Sequence, residues 1–163
     1  HLAGRTGCGI CGAESLEQLR PSFTENTHDF VVEHAIIDSA TAALEHHQPL
    51  QALTGAVHGA AWCDAQGSLL KVCEDVGRHN ALDKLIGSLW LEHVFQQPGF
   101  LLISSRASYE IIQKAAKANI AVVVAVSAPT SLAIEMAEQA GITLIGFSRQ
   151  GRHVVYSHKH RMS

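Results

Sequence analysis

Two cysteines three positions apart, Cys8 and Cys11, stand among glycines in the segment Thr6-Gly7-Cys8-Gly9-Ile10-Cys11-Gly12. Thiols at this spacing can share a metal, close a disulfide or pass sulfur from one to the other. Only the thiolate is a strong nucleophile, and its fraction is set by nearby charge. Arg5, three residues before Cys8, is placed to favour it. The flanking glycines permit unusual backbone angles and close approach by a partner's active site, which suits a mobile carrier loop. The plainer alternatives are half of a zinc knuckle or two unreactive loop cysteines. A zinc site needs two more ligands, and Cys63 and Cys73 do not form a second such pair. Both fall in expected strands, where a cysteine packs as a small apolar residue. The eleven histidines are scattered, with no His-x-x-x-His pair. His46-His47 falls at a helix end, where a cation suits the dipole.

Four further segments carry polar chemistry. His58-Gly59-Ala60-Ala61 is similar in outline to the H-x-E of zinc deaminases. However, Ala60 stands where the catalytic glutamate is needed and the cysteine pair precedes the histidine, so hydrolytic deamination has no general acid/base. Glu74-Asp75-Val76-Gly77-Arg78-His79-Asn80 leads into the helical run Ala81-Leu82-Asp83-Lys84, a junction that directs N–H groups and polar side chains to one cleft. It reads equally well as a capped helix start with solvated charges. Ser104-Ser105-Arg106-Ala107-Ser108 follows a strand and opens a helix, where an anion could bind; it lacks the glycines and lysine of a Walker loop, and Ser108 alone reads as an N-cap. The fifth candidate is the segment containing Phe147, Ser148, Arg149, Gln150, Gly151 and Arg152. It lies past the carboxyl end of an expected parallel strand, the edge where open α/β sheets bind ligands. Two arginines can neutralise phosphates and Phe147 can stack on a base; the alternative is a surface turn with Phe147 in the core. Val126-Ser127-Ala128-Pro129-Thr130 ends the neighbouring strand in the same manner.

The elements that must position these residues are read from hydrophobic spacing. Residues 1–27 read as a mobile loop segment and 28–163 as an α/β core. A helix is expected from Phe30 to His47, with Asp29 as N-cap. Gly55 to Cys63 and Leu69 to Cys73 form a hairpin, and Arg78 to Trp90 a helix. Strand and helix then alternate: Phe100–Ser104, Ser108–Ala118, Ala121–Val126, Ser131–Ala140 capped by Thr130, and Thr143–Phe147, with His153–Ser157 as an edge strand. Such alternation implies right-handed crossovers and a layered α/β sandwich with a mostly parallel sheet.

At 163 residues the chain fits one domain, and 47% hydrophobic against 17% charged residues argues against disorder. A net charge of −3 argues against a nucleic-acid binder without excluding a local basic pocket. The longest apolar run, Ile120 to Val126, is strand-length, so no membrane helix is expected. Four cysteines in this pattern are not a secreted disulfide scaffold, which points to a reducing, cytoplasmic setting. The start at His1 suggests a fragment of a longer protein.

Taken in order, the CGICG loop, Gly55-Ala56-Val57-His58, the run from Glu74 to Lys84, Ser104-Ser105-Arg106-Ala107-Ser108-Tyr109-Glu110 and Gly146-Phe147-Ser148-Arg149 resemble the FdhD family, accessory sulfurtransferases of formate dehydrogenases. The resemblance implies a cytidine-deaminase-like core without the deaminase zinc site, a homodimer, and no structural metal. It also implies loading by a cysteine desulfurase and delivery of sulfur to the molybdenum cofactor in its bis-guanine-dinucleotide form, for which GDP is a mimic. Cys8 then corresponds to the persulfide-bearing residue, Cys11 to its partner, and Phe147 to Arg152 to the nucleotide-binding segment. The competing expectations are a guanine-nucleotide or cofactor-binding chaperone without sulfur chemistry, and a zinc module.

Overall fold

The computed structural model describes residues 25–26, 28–94 and 97–163. Cys8, Cys11 and the proposed loop segment around them lie outside the described residues.

One six-stranded sheet organises the chain, in the order β2-β1-β3-β4-β5-β6. Its strands are β1 (His58–Asp64), β2 (Leu69–Asp75), β3 (Gly99–Ile103), β4 (Val122–Ala125), β5 (Thr143–Arg149) and β6 (Arg152–Val155). The β3–β4 and β4–β5 pairs are parallel; β1 is antiparallel to β2 and β3, and β6 to β5. Four of the six strands therefore point the same way in a mixed sheet.

The helices are α1 (His34–Leu44), α2 (Pro49–Thr54), α3 (Arg78–Leu91), α4 (Tyr109–Lys117) and α5 (Ser131–Gln139). Alternation along the strands sorts the core into two layers. On one face Trp62, Leu101, Ile103 and Val123 pack against Leu82, Leu85 and Leu89 of α3, Ile111 and Ile112 of α4, and Met136 of α5. On the other, Cys63, Phe100, Leu102 and Val124 meet Ile37, Ala40 and Leu44 of α1. The period of two along each strand meets the 3.6-residue period of each helix.

Several boundaries differ from expectation for identifiable reasons. Glu33, not Asp29, occupies the N-cap of α1 and makes no side-chain cap. Val32, expected on the helical face, instead forms an isolated parallel bridge with Met162, and its N–H donates to the Arg161 carbonyl at 2.9 Å. That pairing holds the chain extended until His34. The far end tightens into a 3-10 turn over Glu45–His47, where a His47 ring nitrogen donates to the Ala43 carbonyl at 2.9 Å. The strand expected from Gly55 begins only at His58, because Pro49 to Thr54 forms α2 and Gly55, with φ +63°, ends it. Pro at the first turn and a left-handed Gly after the last are the usual brackets of a helix. Thr130 caps α5 as expected, its hydroxyl accepting from Ala133 N–H at 3.1 Å. Cys63 and Cys73 face opposite layers and both are free thiols.

Candidate functional site

The pairing directions bring the start of β1 and the ends of β2, β3, β4 and β5 to one edge of the sheet. His58, the Glu74–Asn80 turn, Ser104–Ser108, Val126–Thr130 and Phe147–Arg152 therefore share that edge. Hydrogen bonds tie the loops side by side: Gly59 N–H to Ser104 Oγ at 2.8 Å, Thr130 N–H to the Ala107 carbonyl at 3.0 Å, and Phe147 N–H to the Ser127 carbonyl at 3.2 Å.

The β5–β6 hairpin shapes the most developed part of this edge. Gln150 and Gly151 link Arg149 to Arg152 with φ of +55° and +68°, the two-residue turn that suits the twist of paired strands. Just before it the register slips, and β5 carries one residue more than β6 between Gly146 and Arg149. Phe147 sits in this bulge at φ +53°, a left-handed conformation costing a non-glycine residue about 1–3 kcal/mol. The bulge turns Phe147 outward, 39% exposed, and Ser148 fully inward. Phe147 is thus not a core residue. The Ser148 hydroxyl lies 2.6 Å from Thr41 Oγ1, fastening α1 to the bulge.

Between α1 and these strand ends is a cleft of about 300 Å³, lined among others by Asp38, Thr41, Glu45, Gln48, Ser148 and Arg149. The buried Gln48 side chain lies against Gly59, where any Cβ would come within 2.5 Å of Gln48 Nε2, and that amide nitrogen has no hydrogen-bond partner. A buried donor left unpaired is costly and marks a place where a ligand atom would be welcome. A second recess of about 640 Å³ lies on the outer side of the hairpin and shares Asp38, Arg149 and Gly151 with the first. Neither arginine of the hairpin forms an ion pair among the described residues.

The Glu74–Lys84 run divides its work. The Glu74 carboxylate accepts from Leu50 N–H at 2.9 Å and Gln51 N–H at 2.8 Å, capping α2. Asp75 pairs with Lys84 Nζ at 2.5 Å and accepts from Gly77 N–H and the Asn80 amide. Lys84 first, then the Gly77 hydrogen bond, hold its carboxyl down at about 2. Glu74, Asp75, Asn80 and Lys84 thus serve the local structure. Arg78 Nε, His79 Nδ1 and the Ser108 hydroxyl are buried without partners. Burial first, then Arg78, push His79 down towards the neutral imidazole. Ser108 occupies the N-cap position of α4 but makes no cap bond. A second polar centre thus lies at the starts of α3 and α4, on the opposite face of the sheet from α1.

Of the two cysteines in the described core, Cys63 is closed off from sulfur chemistry by complete burial. Burial, aided by Asp64, raises the Cys63 thiol to about 12, and Cys73 packs at the margin of the α3 layer. Sequence reasoning missed His34, Asp38, Thr41 and Glu45. Their spacing of four, three and four places them along one side of α1, a polar stripe that could have been read beside the apolar one.

The carboxyl ends of parallel strands, where this polar cleft lies, are the edge at which open α/β sheets generally bind ligands. Comparison with known proteins narrows this. The family model described as FdhD/NarQ matches residues 1–163, and the chain belongs to the FdhD/NarQ family. It is 52% identical over 158 residues to "Sulfur carrier protein FdhD" of Acinetobacter baylyi, covering 96% of this chain and 57% of that one. To the protein of the same description from Xanthomonas euvesicatoria pv. vesicatoria it is 51% identical over 162 residues, covering 99% and 58% respectively. A crystal structure assigned to a formate dehydrogenase accessory protein from Desulfotalea psychrophila superposes with a TM-score of 0.80 at 30% identity, covering 87% of this chain and 60% of that one. The chain thus spans somewhat under three fifths of the length of these curated relatives. No helix among the described residues is long and apolar enough to cross a membrane.

Proposed function

We propose that this chain carries sulfur on Cys8 and delivers it to a molybdenum cofactor bearing guanine nucleotides, which is held at the strand-end cleft before it enters a formate dehydrogenase. The observation that carries the reading is the Cys8-Gly9-Ile10-Cys11-Gly12 motif in a chain whose relatives are described as sulfur carrier proteins. The Cys8 thiolate attacks the outer sulfur of a cysteine desulfurase's persulfide, and the donor's thiolate leaves. In the release step the Cys11 thiolate attacks the inner sulfur of the Cys8 persulfide. A Cys8–Cys11 disulfide forms and hydrosulfide departs towards the cofactor. The cofactor is substrate and cargo. Phe147 offers a stacking face, and Arg149 and Arg152 offer bidentate phosphate contacts. Ser148 supports the bulge, while Gln150 and Gly151 set the turn that presents the arginines. We place this work in the cytoplasm, with the protein as a homodimer.

Expression of a Cys8→Ala variant in cells lacking the wild-type protein tests the reading. The expected outcome is a folded protein that still binds GDP but leaves formate dehydrogenase inactive. Full dehydrogenase activity would favour a nucleotide-binding chaperone without sulfur chemistry.

A further inference from the structure

Three titratable side chains that the sulfur chemistry does not use form a hydrogen-bonded chain at the outer recess. His153 Nδ1 lies 2.8 Å from Asp38 Oδ1, and His153 Nε2 lies 2.6 Å from His34 Nδ1. The two rings are nearly coplanar, 19° apart, with centres separated by 4.9 Å. His153 has a buried side chain, 6% exposed, whereas His34 is exposed at the start of α1.

Proton bookkeeping fixes the roles. A carboxylate only accepts, so His153 Nδ1 donates to Asp38. In the neutral chain His153 Nε2 then accepts, so His34 Nδ1 donates to it. That leaves His34 Nε2 as the working atom at the surface. One further proton, shared over the two imidazoles, would turn Nε2 into a donor while Asp38 balances its charge. The other charged groups lining the outer recess are Arg149 and Arg152 from the hairpin, and Lys159 from the C-terminal turn lines an adjoining hollow that both histidines also border. His34, His153, Arg149 and Arg152 thus surround the outer recess, with Asp38 behind them.

The two recesses differ in character. The inner one, of about 300 Å³, carries the Gln48 amide, the Thr41–Ser148 hydroxyl pair and Glu45, which suits a base and sugar. The outer one, of about 640 Å³, carries Phe147, both arginines and the two histidines, which suits an anion. We propose that the Asp38–His153–His34 chain is the phosphate arm of a two-lobed nucleotide cleft. With the further proton in place, His34 Nε2 donates to a diphosphate oxygen, and His153 and Asp38 position it. The inference rests on the nucleotide reading given above and adds a subsite to it.

Binding of GDP and of guanosine, titrated into the wild-type protein and into His34→Ala, Arg152→Ala and Asp38→Ala variants, tests the assignment. Loss of one hydrogen bond to a charged oxygen weakens binding about tenfold or more. His34→Ala is expected to show that loss for GDP while guanosine changes less than about twofold. Nitrogen-15 NMR of the imidazoles reads the positioning role: both histidines carry the Nδ1–H tautomer in the wild type, and His153 loses it in Asp38→Ala. GDP binding that is weakened by Arg152→Ala but untouched by His34→Ala overturns the phosphate arm and leaves the nucleotide cleft standing. An equal loss for GDP and guanosine in His34→Ala also overturns it. No binding of GDP to the wild type overturns both.

Discussion

Asp75 shows how a single side chain in a charged run can be assigned by its partners. Its carboxylate meets Lys84, the Gly77 N–H and the Asn80 amide, and its acidity follows, down to about 2 from an ordinary 3.8. A carboxyl depressed in the folded state contributes stability that is complete above about pH 4 and fades as pH falls through about 2. Asp75→Asn is therefore expected to lower the melting temperature at neutral pH and to flatten its fall between pH 4 and pH 2, measured by thermal denaturation across that range. The sequence alone left this run evenly divided between a cleft and a capped helix start. The capped-start reading holds for Glu74, Asp75, Asn80 and Lys84, which build the turn, whereas Arg78 and His79 keep buried, unpartnered nitrogens. No spacing rule separates them, since the difference is which neighbour each side chain meets after folding. The histidine pair was equally invisible, because His34 and His153 are 119 residues apart.

Among the elements, those legible in the sequence are the ones whose stability is local. The β3–α4–β4–α5–β5 alternation was readable because each strand is a short apolar run and each helix keeps an apolar stripe. The start of α1 was not, because Val32 answers to Met162 rather than to its own neighbours. Helix α2 was overlooked because it is six residues long and buries none of them. Such a helix is too short to hold itself and depends on its caps. Glu74 supplies one of these from β2, so Glu74→Ala is expected to destabilise the protein by about 1 kcal/mol. Amide exchange should show the loss concentrated in residues 49–54. The same change would loosen Gln48, and with it the inner wall of the cleft.

For the molecule as a whole, the sheet gathers segments separated by nearly a hundred residues onto one edge and leaves fastening to the opposite end. Arg161, 3% exposed, donates to the carbonyls of His28 at 2.7 Å, Gly141 at 2.8 Å and Asn26 at 3.0 Å. It thereby ties Asn26 and His28 to the start of β5. Removing it strands several buried acceptors, and Arg161→Ala is expected to cost about 3 kcal/mol, seen as a lower denaturation midpoint in urea. Asn26, one of the residues held by this anchor, follows Cys8 by eighteen positions in the sequence. The motifs and the layered class were therefore legible from sequence, while the two-lobed cleft was not, because its walls come from α1, three strand ends and a hairpin. The proposed sulfur transfer depends on the chemistry of Cys8. Incubation of the protein with a cysteine desulfurase and cysteine, followed by peptide mass spectrometry, tests that chemistry most directly. A gain of about 32 Da, one sulfur, is expected on the peptide holding Cys8, reversed by a reductant and absent in Cys8→Ala. An unmodified Cys8 peptide under conditions where the desulfurase turns over would contradict it.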